Sequence, residues 1–198
     1  MKIYRYRSFE QPHHIKTIIK SGKFFFSDWR KLNDPMEGFF RYWIKDHTNA
    51  ELQKIVAGKD SYGISCFSLT STEILMWTHY ANNHQGVCIE VDIDLNQNAN
   101  ISFEPIKYNE HIPWLKKETG ENLESKTILC SKIKKWDYEQ EIRAFCDGKN
   151  TSHIFGEITQ IFLGTKIGQT NKDLIQGWAG NIPVKETKID FDANIIIV

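Results

Sequence analysis

Residues 87–94 alternate without a break. Val87, Ile89, Val91 and Ile93 fall on one side of an extended backbone, and Cys88, Glu90, Asp92 and Asp94 on the other. Successive side chains of a strand point to opposite faces, so this period of two predicts a half-buried strand whose apolar side meets a core. Such a strand needs neighbours. Residues 2–7 alternate Tyr4 and Tyr6 with Ile3, Arg5 and Arg7, which predicts a strand with aromatic residues on one side and arginines on the other. Further strands are expected at 23–27, 62–68, 101–108, 141–146, 157–163, 184–191 and 193–198. Helices fall between them. Pro12 opens one in which Ile15, Ile18 and Ile19 share a face, and Gly22 closes it. Others are expected at 49–57, near 122–134, at 172–178, and through about Ala81 after the capping hydroxyls Thr70-Ser71-Thr72. Strands and helices intermix early, and strands dominate late. The pattern predicts an α+β fold with a largely antiparallel sheet rather than a regular βαβ winding.

The 198 residues carry 25 Lys+Arg against 25 Asp+Glu, a formal net charge of zero. Bulk electrostatic wrapping of duplex nucleic acid or a membrane surface is excluded, because each neutralised phosphate needs its own cation. At this size a single core buries about 70% of the unfolded surface. With no linker-like stretch and no repeat, residues 1–198 read as one domain. No stretch of 18 residues is apolar and uncharged, and no apolar run follows the basic N-terminus, so neither a membrane span nor a secretion signal is expected. Cys66, Cys88, Cys130 and Cys146 form no Cys-x-x-Cys pair and read as reduced core thiols, which points to the cytoplasm. Gly-x-Gly-x-x-Gly and Walker-type phosphate loops are absent.

Four segments carry candidate chemistry. Glu139-Gln140-Glu141 puts two carboxylates at the entry to a strand, aimed by the period of two toward one side. Held together they cannot both ionise freely, so one can serve as an acid or stabilise positive charge. The alternative is a solvated strand edge in which Arg143 pairs one glutamate. Trp77, Tyr80 and His84 lie near one helical stripe and offer an aromatic wall for a flat ring, or simply core packing. His79 and His84 are five apart and no His-Glu-x-x-His occurs, so a zinc site has little support. Tyr4-Arg5-Tyr6-Arg7 can grip a phosphate or ribose, or protect an edge strand. Lys132, Lys134 and Lys135 beside Trp136 make a local basic patch or a solvated helix end.

Tyr4-Arg5-Tyr6-Arg7, Leu32-Asn33-Asp34-Pro35-Met36-Glu37, Cys66-Phe67-Ser68, residues 75–81 with 84–90, and residues 136–143 together resemble the bacterial family known as domain of unknown function 2971. That family is distantly similar to the ADP-ribosyltransferases. The resemblance implies mostly antiparallel sheets packed as a split β-sandwich with flanking helices, and NAD as substrate. It implies Arg5 or Arg7 with Tyr6 on the first strand, Ser71 of Thr70-Ser71-Thr72 or Tyr80 in the middle, and Glu139 and Glu141 as the late Glu-x-Glu. Thr-Ser-Thr here replaces the family pattern Ser-Thr-Ser. Trp77 and Tyr80 would hold the nicotinamide ring. Cleaving the glycosidic bond develops oxocarbenium charge, which a fixed carboxylate stabilises in the transition state.

Three functions follow as expectations. The first is an ADP-ribosyltransferase or NAD glycohydrolase, with Glu141 catalytic, Glu139 assisting and a protein or nucleic-acid acceptor. The family's mobile-element setting implies a toxin or phage-defence role. The second is a metal-dependent nuclease or phosphodiesterase using Asp34, Glu37, Glu139 and Glu141. The third is a non-catalytic interaction module with an aromatic interface.

Overall fold

A computed structural model describes residues 1–115, 125–147 and 153–198. It is a mixed α+β structure dominated by an eight-stranded, mostly antiparallel sheet. The sheet's strands are β1 (Lys2–Arg7), β2 (Tyr62–Ser68), β3 (Val87–Asp92), β4 (Ser102–Pro105), β5 (Glu141–Asp147), β6 (Glu157–Leu163), β7 (Val184–Ile189) and β8 (Ile195–Ile197), in the spatial order β8-β7-β6-β3-β1-β2-β5-β4. The pair β6–β7 is parallel and the others are antiparallel.

The middle of the sheet is its weakest join. β1 pairs with β3 from Lys2↔Asp92 to Arg7↔Val87, and β2 pairs with β5 from Glu141↔Ser68 to Asp147↔Tyr62. Between these two halves, β1 and β2 meet at the single pair Tyr4↔Ser68. Further along its free edge, β2 instead bonds Ser27, through reciprocal Ser27–Ile64 backbone hydrogen bonds of 2.8 and 2.9 Å.

Register sorts the faces. Ile3, Val87, Ile89, Val91, Phe67, Ile142 and Ala144 share one face and bury against α1 (Pro12–Ser21) and α5 (Gln169–Ala179). The sequence features that open and close α1 behave as expected: Pro12 occupies its first turn, and Gly22 at φ 62° caps it by donating to the Ile18 carbonyl at 2.8 Å. The second long helix, α2 (Asn49–Asp60), starts in a capping box between Thr48 and Glu51. On the opposite face Tyr6, Cys88 and Phe162 pack under α3 (Ile74–Tyr80). β3 is therefore covered on both sides. Cys88 is 0% exposed and Glu90 7%, so the half-buried strand predicted from its alternation is in fact a central one. The hydroxyls of Thr70, Ser71 and Thr72 do not cap α3; the Glu73 carboxylate does, accepting from Leu75 N at 3.0 Å.

The chain leaves α3 through three consecutive left-handed residues, Asn82, Asn83 and His84, before reaching Gly86. A Cβ on Gly86 would collide with the Arg7 carbonyl and with Ala81. Gly86→Ala is expected to push β3 off the end of β1 and to lower unfolding stability by about 1–3 kcal/mol, measured as a fall in Tm.

Of the predicted helix at 122–134, residues 122–124 lie outside the described residues. The remainder is the short α4 (Ser125–Leu129), then a strand at Ser131–Ile133 that runs parallel to Lys107–Asn109. Among the described residues no helix is long and apolar enough to cross a membrane. All four cysteines are free thiols.

Candidate functional site at the seam of the sheet

The loosened seam opens a cleft of about 230 Å³. Arg5, Arg7 and Phe67, from one face of the sheet, line it together with Tyr4, Tyr6, Cys66, Ser68, Glu141 and Arg143 from the other. It is thus a gap between strands rather than a hollow on one face. Residues 31–33, Tyr80 from the last turn of α3, Lys132 and Glu139 complete the wall.

One side of the cleft is a buried charge network. Glu139 ends a 3-10 turn (Lys134–Glu139), and Gln140 at φ 42° turns the chain so that Glu141 begins β5. The two glutamates do not belong to one strand, as their spacing suggested, yet both reach the same ammonium. Lys132 Nζ lies 2.5 Å from Glu139 and 2.8 Å from Glu141. Tyr80 donates its hydroxyl to the other Glu139 oxygen at 2.5 Å. Arg143 gives Nε to Glu141 at 2.7 Å and its two terminal nitrogens to Glu37 at 2.6 and 2.7 Å. The Glu141 backbone N–H donates to the Tyr108 hydroxyl at 2.8 Å.

None of this is a solvated strand edge. Glu139 is 2% exposed, Glu141 6% and Arg143 0%. Such a network persists only because every charge has a partner at hydrogen-bond distance. The pairing of Arg143 with a glutamate is as expected; the solvation is not. Lys132 likewise leaves the predicted basic patch: it is buried in this network beneath Trp136, while Lys134 and Lys135 stay exposed.

The two glutamates are pushed in opposite directions. Burial works to raise Glu141, but Arg143 and Lys132 outweigh it and hold the carboxyl well below its ordinary range. Burial raises Glu139, and the adjacent Glu141 charge adds to this against Lys132 and Tyr80. Burial would lower Lys132, but the two carboxylates keep its ammonium well above the usual value. Two carboxylates with separated affinities for a proton are the arrangement used for acid and base roles within one site.

The other side of the cleft is cationic and unpaired. Arg5 and Arg7 make no salt bridge or side-chain hydrogen bond among the described residues, and their Nε atoms are shut off from solvent. Arg5 lies over the Phe67 ring at 5.5 Å. Burial lowers the Arg5 pKa, and the charge of Arg5 together with burial lowers that of Arg7 to about 9. Arg143 and Lys132 each pair with carboxylates; Arg5 and Arg7 pair with none among the described residues.

The structure thus brings Arg5, Arg7, Tyr6, Tyr80, Glu139 and Glu141 to one cleft, and leaves Trp77 and Ser71 out of it. Trp77 is 0% exposed, donates to the Ser71 carbonyl at 2.8 Å and stacks edge-on with Tyr6, so it is core and not a wall for a ligand ring. Ser71 supplies that carbonyl. Tyr6 lines the cleft but spends its hydroxyl on the Thr70 carbonyl at 3.0 Å. His84 stacks on Trp77, arriving there through the left-handed turn and not along a helical stripe.

The metal-ligand set separates. Asp34 caps its own turn by accepting from Met36 N at 2.8 Å, and Glu37 is taken by Arg143. Among the described residues no three of His, Cys, Asp and Glu are grouped to hold a metal ion. Sequence reasoning missed Lys132 as the hub and Asn33 as a partner of Tyr80. Arg143 and Glu37 were visible only as a pair partner and a metal ligand.

Residues 76–144 match the model of a family described as protein of unknown function, DUF2971. The matched stretch holds Tyr80, Lys132, Glu139, Glu141 and Arg143, and it supports the family resemblance. The segments at 4–7 and 32–37 lie outside it. No curated protein and no solved structure matches the chain.

Proposed function

We propose that the seam cleft binds NAD and that the protein cleaves the nicotinamide–ribose bond, as an ADP-ribosyltransferase or an NAD glycohydrolase. The observation that carries this reading is the meeting of two unpaired arginines with Tyr80, Glu139 and Glu141 across one gap in the sheet. Half-buried guanidiniums without counter-ions among the described residues call for an anion, and a fork of N–H donors suits phosphate oxygens. A cleft of about 230 Å³ has room for a phosphate with one ribose or ring, leaving the rest of a dinucleotide along its mouth. The single Tyr4↔Ser68 join makes the sheet nearly two sheets, in keeping with the split β-sandwich of the ADP-ribosyltransferases.

In this mechanism Arg5 and Arg7 hold the pyrophosphate, and Tyr80 with Tyr4 offers ring faces for nicotinamide. As the C1′–N bond breaks, its electron pair leaves with neutral nicotinamide and positive charge develops on the ribose, stabilised by the Glu139 and Glu141 pair. Water or an acceptor group then bonds to C1′ and gives its proton to Glu139, whose raised affinity suits it to receive one. The acceptor is a protein or nucleic-acid group, and a toxin or phage-defence role is the setting proposed for the activity.

The test is nicotinamide release from NAD by the full chain, with protein and nucleic-acid acceptors supplied. Release is expected from the wild type and is expected to fall by about 100-fold or more in Glu139→Gln. No release under any of these conditions, or equal release by a folded variant, overturns the reading.

A second reading rests on another surface. Phe39, Tyr42, Trp43 and Ile44 stand 42–82% exposed within one short segment, with Trp43 against Trp114 at 5.8 Å. Aromatic clusters of this kind are enriched at partner interfaces. If the protein is an interaction module, Trp43→Ala abolishes its function and Glu139→Gln leaves it intact.

A further inference from the structure

We propose that the turn at residues 32–37 is a clamp that positions both glutamates at once: Asn33 sets Glu139 through Tyr80, and Glu37 sets Glu141 through Arg143. The inference rests on the reading of the glutamates as the reacting pair. Its geometry is independent of which ligand the cleft takes.

Two relays leave the same turn. Asn33 Nδ2 donates to the Tyr80 hydroxyl at 3.3 Å, and that hydroxyl donates to Glu139 at 2.5 Å. A phenol has one proton, so a donor on its oxygen leaves the proton no competitor to Glu139. Glu37 accepts both terminal nitrogens of Arg143, and Nε on the remaining edge meets Glu141. A guanidinium is planar. Fixing one edge of the plane aims the other, which a single ammonium could not do.

The turn itself is held from behind. Asp34 accepts from Met36 N, Glu37 N donates to the Asp34 carbonyl at 3.0 Å, and Pro35 fixes its own φ. Just beyond it, Lys59 Nζ donates to the Gly38 carbonyl at 2.8 Å while lying against the rings of Trp29 and Phe40. On the near side Arg30 pairs with Asp60 at 2.5 Å, and the Trp29 indole donates to the same carboxylate at 2.9 Å. Both anchors are on α2, so that helix fixes the turn and the turn fixes the glutamates. Asn33 is exposed and adds little to the core. Its position over Tyr80 is explained by the hydroxyl it orients.

The decisive variant is Asn33→Asp, which keeps the shape but replaces the donor with an acceptor that competes for the Tyr80 proton. Carboxyl-carbon NMR of the ligand-free full chain reads Glu139 and Glu141 separately. Asn33→Asp is expected to shift the Glu139 titration upward and leave the Glu141 resonance in place; Glu37→Gln is expected to move Glu141 and the Arg143 Nε–H and spare Glu139. If the wild type releases nicotinamide, kcat falls roughly 10- to 100-fold in Asn33→Asp, with KM within about twofold. Two unmoved resonances, or a common displacement of both in each variant with only a lower Tm, overturns the clamp. Failure of the NAD reading leaves the NMR result standing, so the two are told apart. Should Glu37→Gln not fold, the conservative Glu37→Asp reads the Glu141 relay, while the exposed Asn33 variant reads the Glu139 relay.

Discussion

Arg143→Met is expected to remove about 3–5 kcal/mol of unfolding free energy, seen as a lower urea midpoint with an unchanged slope. Arg143 is 0% exposed and serves Glu37, Glu141 and the Leu129 carbonyl. Without it two buried carboxylates lose their nearest cation, and Lys132 is left to serve Glu139 and Glu141 alone. Arg143→Lys is expected to recover only part, because one ammonium cannot span both glutamates. Replacing Glu37 and Glu141 by Gln in the Met variant is expected to restore much of the loss, since removing a whole buried charge set is far milder than orphaning one member. The pH dependence has a defined sign. Glu141 has a depressed folded pKa, so it binds fewer protons folded than unfolded; its contribution is full above the ordinary glutamate value and is lost as pH falls below it toward the depressed one. Glu139, with a raised pKa, acts oppositely, and stability declines as pH rises from the ordinary value through the raised one. In Arg143→Met the acid-side loss is expected to flatten. A midpoint unchanged at pH 7 would show that the network does not support the fold.

Much of the fold is legible in the sequence because local periodicity is strong where the strands are long. The limits of β2 at 62–68 and β6 at 157–163 follow from their apolar runs, and α1 from Pro12 and Gly22. The two-residue pairing of Arg41–Tyr42 with Trp114–Leu115 has no such signature, since strands that short carry no period. The burial of β3 on both faces is also hidden. Its polar alternates are satisfied through space, Glu90 by the Tyr4 and Thr159 hydroxyls and by Lys2, and nothing in residues 87–94 records those partners.

The site was half legible for a similar reason. Glu139 and Glu141 are two positions apart in sequence, and Arg5 and Arg7 alternate on one strand, so each pair is visible as a pattern. What joins the pairs is not. Lys132 looks like part of a basic run with Lys134 and Lys135, because sequence proximity cannot tell a lysine turned inward from two turned out. Glu37 and Arg143 are 106 positions apart and meet only once β5 is laid beside β2. Trp77 misled in the other direction: helical spacing placed it with Tyr80, but one residue of the stripe faces the core and the other the cleft.

Arg7→Met is expected to separate stability from binding. Arg7 lies beside a second guanidinium with no counter-charge among the described residues, so its removal relieves repulsion and an unpaired, partly desolvated cation. The ligand-free variant is expected to melt at the wild-type temperature or higher. The sign of the pH effect agrees: a folded pKa lowered to about 9 means the penalty of the charged form is full below that pH and is relieved as pH rises through it. Affinity for NAD or inorganic pyrophosphate is expected to fall about 10- to 100-fold, the loss of one charge-assisted contact of about 1.5–3 kcal/mol. Arg5→Met is expected to lose as much affinity but to gain less stability, because its guanidinium already packs on Phe67. Calorimetry with pyrophosphate, set beside melting curves without it, reads both quantities. The contrast with Arg143 is the point of the measurement. One arginine has its partners within the protein and is expected to be needed for folding, while the other two have none among the described residues and, in the proposed reading, meet a bound anion. If Arg7→Met destabilises the protein as Arg143→Met does and leaves pyrophosphate affinity unchanged, the unpaired arginines belong to the fold and the anion reading of the cleft is lost.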